Sequence, residues 1–172
     1  KGVKPVLVDI KEHDELIKAL DLKNDQYLEF NGDIRDEQFV KTVVQKTKDQ
    51  FSQIHILVNN AGVASRVTLE DTTEDIWDLD MNTNMKATFF FTKHVIVNSM
   101  LPERYGRIIN ISSVSGINGG VVSKVTGEFT GRSGPAYAAS KGAIIAFTKW
   151  IAKEFGLYGI TCNSVAPGAV ET

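Results

Sequence analysis

Apolar positions along this chain keep two alternating rhythms. Short apolar runs closed by a polar residue or glycine read as buried strands, and stretches with apolar residues every three or four positions read as helices. The first run is "PVLVDI" (5–10), and "EHDELIKALDL" follows with helical spacing. "YLEFNGDI" (27–34) is a second strand that ends at Gly32 and Asp33. "RDEQFVKTVVQKTKDQF" (35–51) places Phe39, Val43 and Val44 on one side, as an amphipathic helix does. "HILVNN" (55–60) is the third strand, a helical region runs from about Thr73 to Leu101, and "RIINIS" (107–112) is the fourth strand. A glycine-rich loop covers 116–134. A helix over 135–156 carries Ile144, Phe147, Ile151 and Phe155 on its apolar stripe, and "ITCNSVAP" (160–167) closes the series as a fifth strand.

Strand and helix in strict alternation predict an α/β fold, a doubly wound parallel sheet with helices on both faces. No repeat, low-complexity tract or linker interrupts residues 1–172, so the reading is of one domain. Ligands of such sheets bind beyond the carboxyl ends of the strands. Asp9, Asp33, Asn59–Gly62, Ser112–Ser113 and Pro167–Gly168 end these strands and are expected along one edge.

Composition narrows the classes. The chain is 42% hydrophobic and 23% charged with a net charge of -2, which suits a soluble domain with a real core. No Lys/Arg block is dense enough to follow a phosphate backbone, so nucleic acid is not an expected partner. The most apolar stretch, "ATFFFTKHVIV", is broken by Lys93 and too short to span a bilayer. No signal peptide precedes the first strand, and a cytoplasmic location is the default expectation. Cys162, the one cysteine, reads as a small buried hydrophobe. The three histidines have no metal-ligand spacing, and the "NIS" sequon at Asn110 falls inside a strand.

The chemistry concentrates in "YAASK" (137–141), where Tyr137 and Lys141 stand one helical turn apart. Alone, that spacing is weak, because a surface pair would look the same. "NNAG" (59–62), Trp77 and Asn84 with six residues between them, "ISSVSG" (111–116) and "APGAVET" (166–172) are jointly specific. In this order the motifs resemble the short-chain dehydrogenase/reductase family, over nearly the whole chain. The resemblance extends to 3-oxoacyl reductases and to sugar and polyol dehydrogenases.

The resemblance implies a Rossmann-like fold and hydride exchange between a nicotinamide cofactor and a secondary alcohol or its ketone. It implies Tyr137 as acid/base, Lys141 as its partner and as a contact to the ribose hydroxyls, Ser113 as the hydroxyl on the substrate oxygen, and Asn84 as the residue ordering a water chain behind the lysine. Ser112 is the competing serine. A free phenol ionises near pH 10, and bringing it to 7 takes about three units, roughly 4 kcal/mol. A neighbouring ammonium works in that direction. Asp9 is expected on the adenine ribose, where a carboxylate accepts from both hydroxyls and repels a 2′-phosphate, so NAD is expected over NADP. Asp33 and Ile34 match adenine-edge contacts. Asn60, Ala61 and Gly62 match the turn under the adenosine, and Pro167, Gly168, Val170 and Thr172 match the segment that holds the carboxamide. For Asn59 and Asn60 a turn that ties the sheet together is the competing role.

Three departures accompany the resemblance. The family opens with a strand and a glycine-rich pyrophosphate turn and continues past Thr172, and these 172 residues contain neither part. Loss of that strand is expected to expose backbone edges. Ser113 and Tyr137 are 24 positions apart, about twice the family's gap, with "VVSKVTGEFTGRSG" (121–134) expected as an excursion beside the substrate pocket. His55 stands where relatives carry an acid. Helices 73–101 and 135–156 hold more apolar surface than one sheet face needs, so a homodimer or homotetramer is expected. A polyol or sugar substrate and a 3-oxoacyl thioester both stay open, and a non-catalytic, cofactor-sensing member of the fold is the alternative of a different class.

Overall fold

A computed structural model describes residues 2–19, 21–23, 26–120 and 133–168. Five parallel strands form in the predicted order: β1 (Val6–Asp9), β2 (Leu28–Asn31), β3 (Ile56–Asn59), β4 (Gly106–Ile111) and β5 (Ile160–Val165). Helices α1 (Asp14–Ala19) and α2 (Glu37–Phe51) follow β1 and β2. After β3, α3 (Glu74–Met81) passes through a π-helical turn (Asn82–Lys86) into α4 (Ala87–Val95), and a second π turn (Ile96–Met100) leads to α5 (Leu101–Glu103). A short α6 (Ser115–Asn118) replaces the start of the expected 116–134 loop. The long α7 (Pro135–Phe155) then returns the chain to β5.

Side-chain caps set where the helices begin. The Asp36 carboxylate accepts from the Gln38 N–H at the start of α2, and the Thr73 hydroxyl accepts from the Ile76 N–H at the start of α3. Each cap satisfies an N–H that the first turn leaves without a partner. Pro135 opens α7, where its fixed φ and missing N–H cost nothing.

The strands are parallel as predicted, and among the described residues they pair as two sheets, β1–β2 and β3–β4–β5. Among the described residues no strand pairs with both β1 and β3, so each keeps one open backbone edge. In the larger sheet the rows of side chains are in register. Leu57, Ile108 and Cys162 form one row, and Asn59, Asn110 and Ser164 form the next on the same face. Val40 and Val44 of α2, Val95, Ile96 and Met100, and Ile151 of α7 pack on that face with Ile108, Ile160 and Cys162. Burial of each large aliphatic side chain here is worth about 1.5–3 kcal/mol. On the opposite face Ile56 and Val58 are 54% and 52% exposed.

The second inward row is polar and internally satisfied. Asn59 Nδ2 donates to Asn110 Oδ1 (2.8 Å) and Thr92 Oγ1 (3.2 Å), and Asn110 Nδ2 donates to Thr148 Oγ1 (2.8 Å). Asn59 thus ties β3 to β4 and α4, the sheet-tying role that competed for it. Asn110, the residue of the sequon, is wholly buried. Burial raises the Cys162 thiol to about 11, against weaker lowering by Thr148 and Asn110, and leaves it an unreactive core residue. No described helix is long and apolar enough to cross a membrane.

Candidate active site

Three strand ends and one helix converge. Beyond β3 lie Asn60, Ala61 and Gly62, all exposed, and beyond β4 lie Ser112 and Ser113. Pairing continues past the ends of β4 and β5, because the Ser112 N–H donates to the Val165 carbonyl (2.7 Å) and the Val114 N–H to the Pro167 carbonyl (3.1 Å). Pro167 and Gly168 therefore run beside Ser113. The first two turns of α7 bring Tyr137 and Lys141 to the same place.

Lys141 is the electrostatic centre of the site. It is 4% exposed, and its ammonium donates to the Ile111 carbonyl at 2.7 Å. The same nitrogen lies 5.6 Å from the centre of the Tyr137 ring, so the spacing read from "YAASK" is a real contact. No described carboxylate pairs with it. Burial holds its pKa below the ordinary lysine value. An ammonium has three N–H donors, and the carbonyl of Ile111 takes one. Gly116 fixes the height of the helix, since a Cβ there would sit 2.5 Å from the Lys141 carbonyl carbon and 2.7 Å from the Gly142 nitrogen. The small residues around the pair thus serve close backbone packing.

Asn84 joins the helix to the loop after β3. Fully buried, its Oδ1 accepts from the Val63 N–H (2.8 Å), and its Nδ2 donates to the Val63 carbonyl (2.9 Å) and to Ser140 Oγ (3.0 Å). Ser140 Oγ in turn donates to the Tyr137 carbonyl (2.8 Å). Asn84 sits in the π turn, a distortion that often marks functional positions. Gly62 belongs to the same cluster, because a Cβ there would stand 2.9 Å from Asn84 Oδ1 and 3.5 Å from the Lys141 ammonium.

The two serines differ in what they hold. Ser112 Oγ donates to the Lys141 carbonyl at 2.8 Å and is buried, so its hydroxyl proton is spent on the helix. Ser113 Oγ accepts from the Ser115 N–H at 3.2 Å and, among the described residues, donates to no acceptor. Of the pair, Ser113 has the hydroxyl proton to offer.

The other predicted contacts line the ends of β1 and β2. Asp9 is exposed, its backbone carbonyl accepts from the Gly32 N–H (3.0 Å), and its carboxylate accepts from the Lys11 N–H (3.1 Å). Asp33 is engaged by Arg35, whose Nε and Nη2 reach it at 2.9 and 2.6 Å. That guanidinium is the main cause that holds the Asp33 carboxyl below its usual range. Ile34 follows it, half-buried. Val170, Thr172 and 121–132 of the excursion lie outside the described residues. His55 is exposed and edge-on to Tyr105. Sequence reasoning missed Arg35 and Ser140, whose roles depend on neighbours brought by folding. It also missed Asp80, an acid that α3 buries.

Residues 1–172 match the family model described as short chain dehydrogenase. The chain is 32% identical over 171 residues to a 2-dehydro-3-deoxy-D-gluconate 5-dehydrogenase of Dickeya dadantii (strain 3937), covering 99% of this chain and 63% of that protein. It is 38% identical over 139 residues to a 3-oxoacyl-[acyl-carrier-protein] reductase FabG of Thermotoga maritima, covering 81% of this chain and 52% of the relative. The crystal structure of gox2181 superposes with a TM-score of 0.84 at 25% identity, over 98% of this chain and 63% of that one. The chain therefore spans about half to two-thirds of the length of these proteins. With the motifs in order, the strand ends gathered and the family model matched from end to end, this chain belongs to the short-chain dehydrogenase family.

Proposed function

We propose that the protein is an oxidoreductase that interconverts a secondary alcohol and its ketone with a nicotinamide cofactor. One observation carries the reading: the buried ammonium of Lys141 lies 5.6 Å from the Tyr137 ring, where β3, β4 and β5 end. The residues at the strand ends fit a cofactor. Lys141 has donors beyond the one given to Ile111, Gly62 keeps the backbone bare beside that ammonium, and Asp9 presents an exposed carboxylate for a diol.

A bound nicotinamide supplies or accepts the hydride. In the reducing direction the Tyr137 hydroxyl gives its proton to the substrate oxygen, and Ser113 donates a hydrogen bond to that oxygen. Lys141 offsets the negative charge left on the tyrosine oxygen and presents its remaining N–H groups to ribose hydroxyls. Asn84 keeps the loop after β3 and the helix of Tyr137 in one geometry. Asp33, Ile34, Asn60, Ala61, Pro167 and Gly168 complete the cofactor side, and the family resemblance assigns the same role to Val170 and Thr172. The named activities of the relatives, a dehydrogenase and a reductase, fit this chemistry.

Tyr137→Phe removes the proton without altering the packing of the ring. Turnover is expected to fall about 10²–10⁴-fold. Cofactor affinity by fluorescence titration is expected to stay within about two-fold. Turnover equal to the parent's rejects the role.

Burial of Lys141 has a consequence for stability. Unfolded, the side chain keeps its proton up to about pH 10.5, and folded it releases it earlier. Between those two values the unfolded state binds more protons, so unfolding free energy rises with pH. The cost of the buried charge is complete below the folded pKa and gone near 10.5. Urea unfolding at pH 7, 8.5 and 10 is expected to show the parent gaining stability on Lys141→Met as pH rises. A constant difference across that range refutes the burial argument.

For the cofactor we infer NAD in preference to NADP, because the exposed Asp9 carboxylate accepts from a ribose diol and repels a 2′-phosphate. Asp9→Ala is expected to narrow the ratio of kcat/KM values for the two cofactors by about ten-fold or more. A parent that prefers NADP overturns the assignment.

We further infer a homodimer or homotetramer. Phe89 and Val97 of the helical run 74–103 and Trp150 of α7 are all substantially exposed, and α7 packs along that run. Light scattering is expected to give two or four times the mass of one chain, and Trp150→Glu to reduce it. A monomeric parent counts against the interface.

A further inference from the structure

α3 turns its polarity around at one point. Trp77 and Leu79 are each 40% exposed, yet Asp80 between Leu79 and Met81 is 1% exposed. A carboxylate taken out of water is costly unless hydrogen bonds or a cation compensate. Among the described residues no cation pairs with Asp80. Its described partner is Ser65: Ser65 Oγ donates to Oδ1 at 2.7 Å, and the Ser65 N–H donates to Oδ2 at 3.3 Å.

The place of Ser65 gives this contact its meaning. Residues 62–67 approach residues of α7 and its N-cap at two places. Gly62 is at the Lys141 end, where its Cβ position is 3.5 Å from the ammonium. Val67 is at the other end, its backbone N and O each 3.4 Å from the Cβ position of Gly134, which caps the helix. In the helix sequence Tyr137 lies between Gly134 and Lys141. Two side chains of one helical run hold this segment by its backbone. Asn84 takes both the N–H and the carbonyl of Val63. Asp80, one turn earlier, takes Ser65.

We propose that Asp80 is a positioning residue, which through Ser65 holds residues 63–67 as a fixed wall of the substrate side of the site. Asn84 fixes the lysine end of the wall, and Asp80 fixes the stretch that passes Tyr137. A carboxylate suits the task because both of its oxygens accept, and Ser65 offers two donors. An amide would set its NH2 against one of them.

The inference rests on the oxidoreductase reading for its kinetic consequence but not for its structural one. Asp80→Asn is expected to raise KM for the carbonyl substrate about ten-fold, with cofactor affinity unchanged within about two-fold. Ser65→Ala is expected to shift KM the same way by at least about three-fold, Ser65→Thr to restore it, and the double variant to lose no more than the worse single one. In hydrogen exchange by NMR, Asp80→Asn is expected to speed the Ser65 amide by about ten-fold or more while the Val63 amide, held by Asn84, stays slow.

An unchanged Ser65 exchange rate, an unchanged KM in the folded variants, or fully additive losses overturns the proposal. Should Asp80→Asn fail to fold, Ser65→Ala with the parent's KM does so too. A parent with no turnover on any ketone or alcohol, but with the exchange pattern above, would reject the functional reading and leave the clamp standing.

Discussion

The amide of Asn84 is the interaction on which the site depends. Three of its four hydrogen-bonding positions are used, two on the backbone of Val63 and one on Ser140. Ser140 passes the constraint to the backbone of Tyr137. A loop beyond one strand and a helix that arrives much later in the chain are thereby fixed to the same buried side chain. The π turn over Asn82–Lys86 widens the helix at that residue. The loop after β3 and α7 hold that turn from both sides.

Around that joint the chain keeps charged groups in two different conditions. Asp33 and Arg35 meet at the surface, face to face and partly solvated, where an ion pair is worth about 1 kcal/mol or less. Lys141 and Asp80 are buried without a described counter-ion, and each is held by neutral partners, a carbonyl in one case and a serine in the other. Burial of such groups is costly, which is why each needs a hydrogen-bond partner. The contrast separates the groups that decorate the edge of the site from those that shape it.

The sheet shows what the fold can and cannot close from these residues. Within β3–β4–β5 every inward row is in register and filled, one with aliphatic side chains and one with an amide–hydroxyl chain. Between β1 and β3 there is no ladder, and the outward residues of β3 are half open. The site nevertheless takes shape, because its parts hang on β3, β4, β5 and α7 and not on the open edges. The helices that face the core are held by the same rows, so packing and site geometry share one support.

Periodicity determined the strands, the helices and their order, because apolar spacing depends only on neighbours along the chain. The motifs singled out Tyr137, Lys141, Ser113 and Asn84; the structure sets the Lys141 ammonium 5.6 Å from the Tyr137 ring, joins Asn84 to Ser140 of the same helix, and places Ser113 two residues past β4. What local spacing does not encode is which groups meet after folding. Ser112 and Ser113 are alike in sequence, and only the approach of α7 binds one to the Lys141 carbonyl while the other, among the described residues, donates to no acceptor. Nothing in the local spacing marks Asp80, and among the described residues it is Ser65, in the loop after β3, that hydrogen-bonds its buried side chain. The split of the sheet is likewise tertiary, since strand pairing joins residues far apart in sequence. The sequence by itself determined the elements and the chemistry at hand; the tertiary structure decided the partner of each polar group, because a hydrogen bond is set by distance in space.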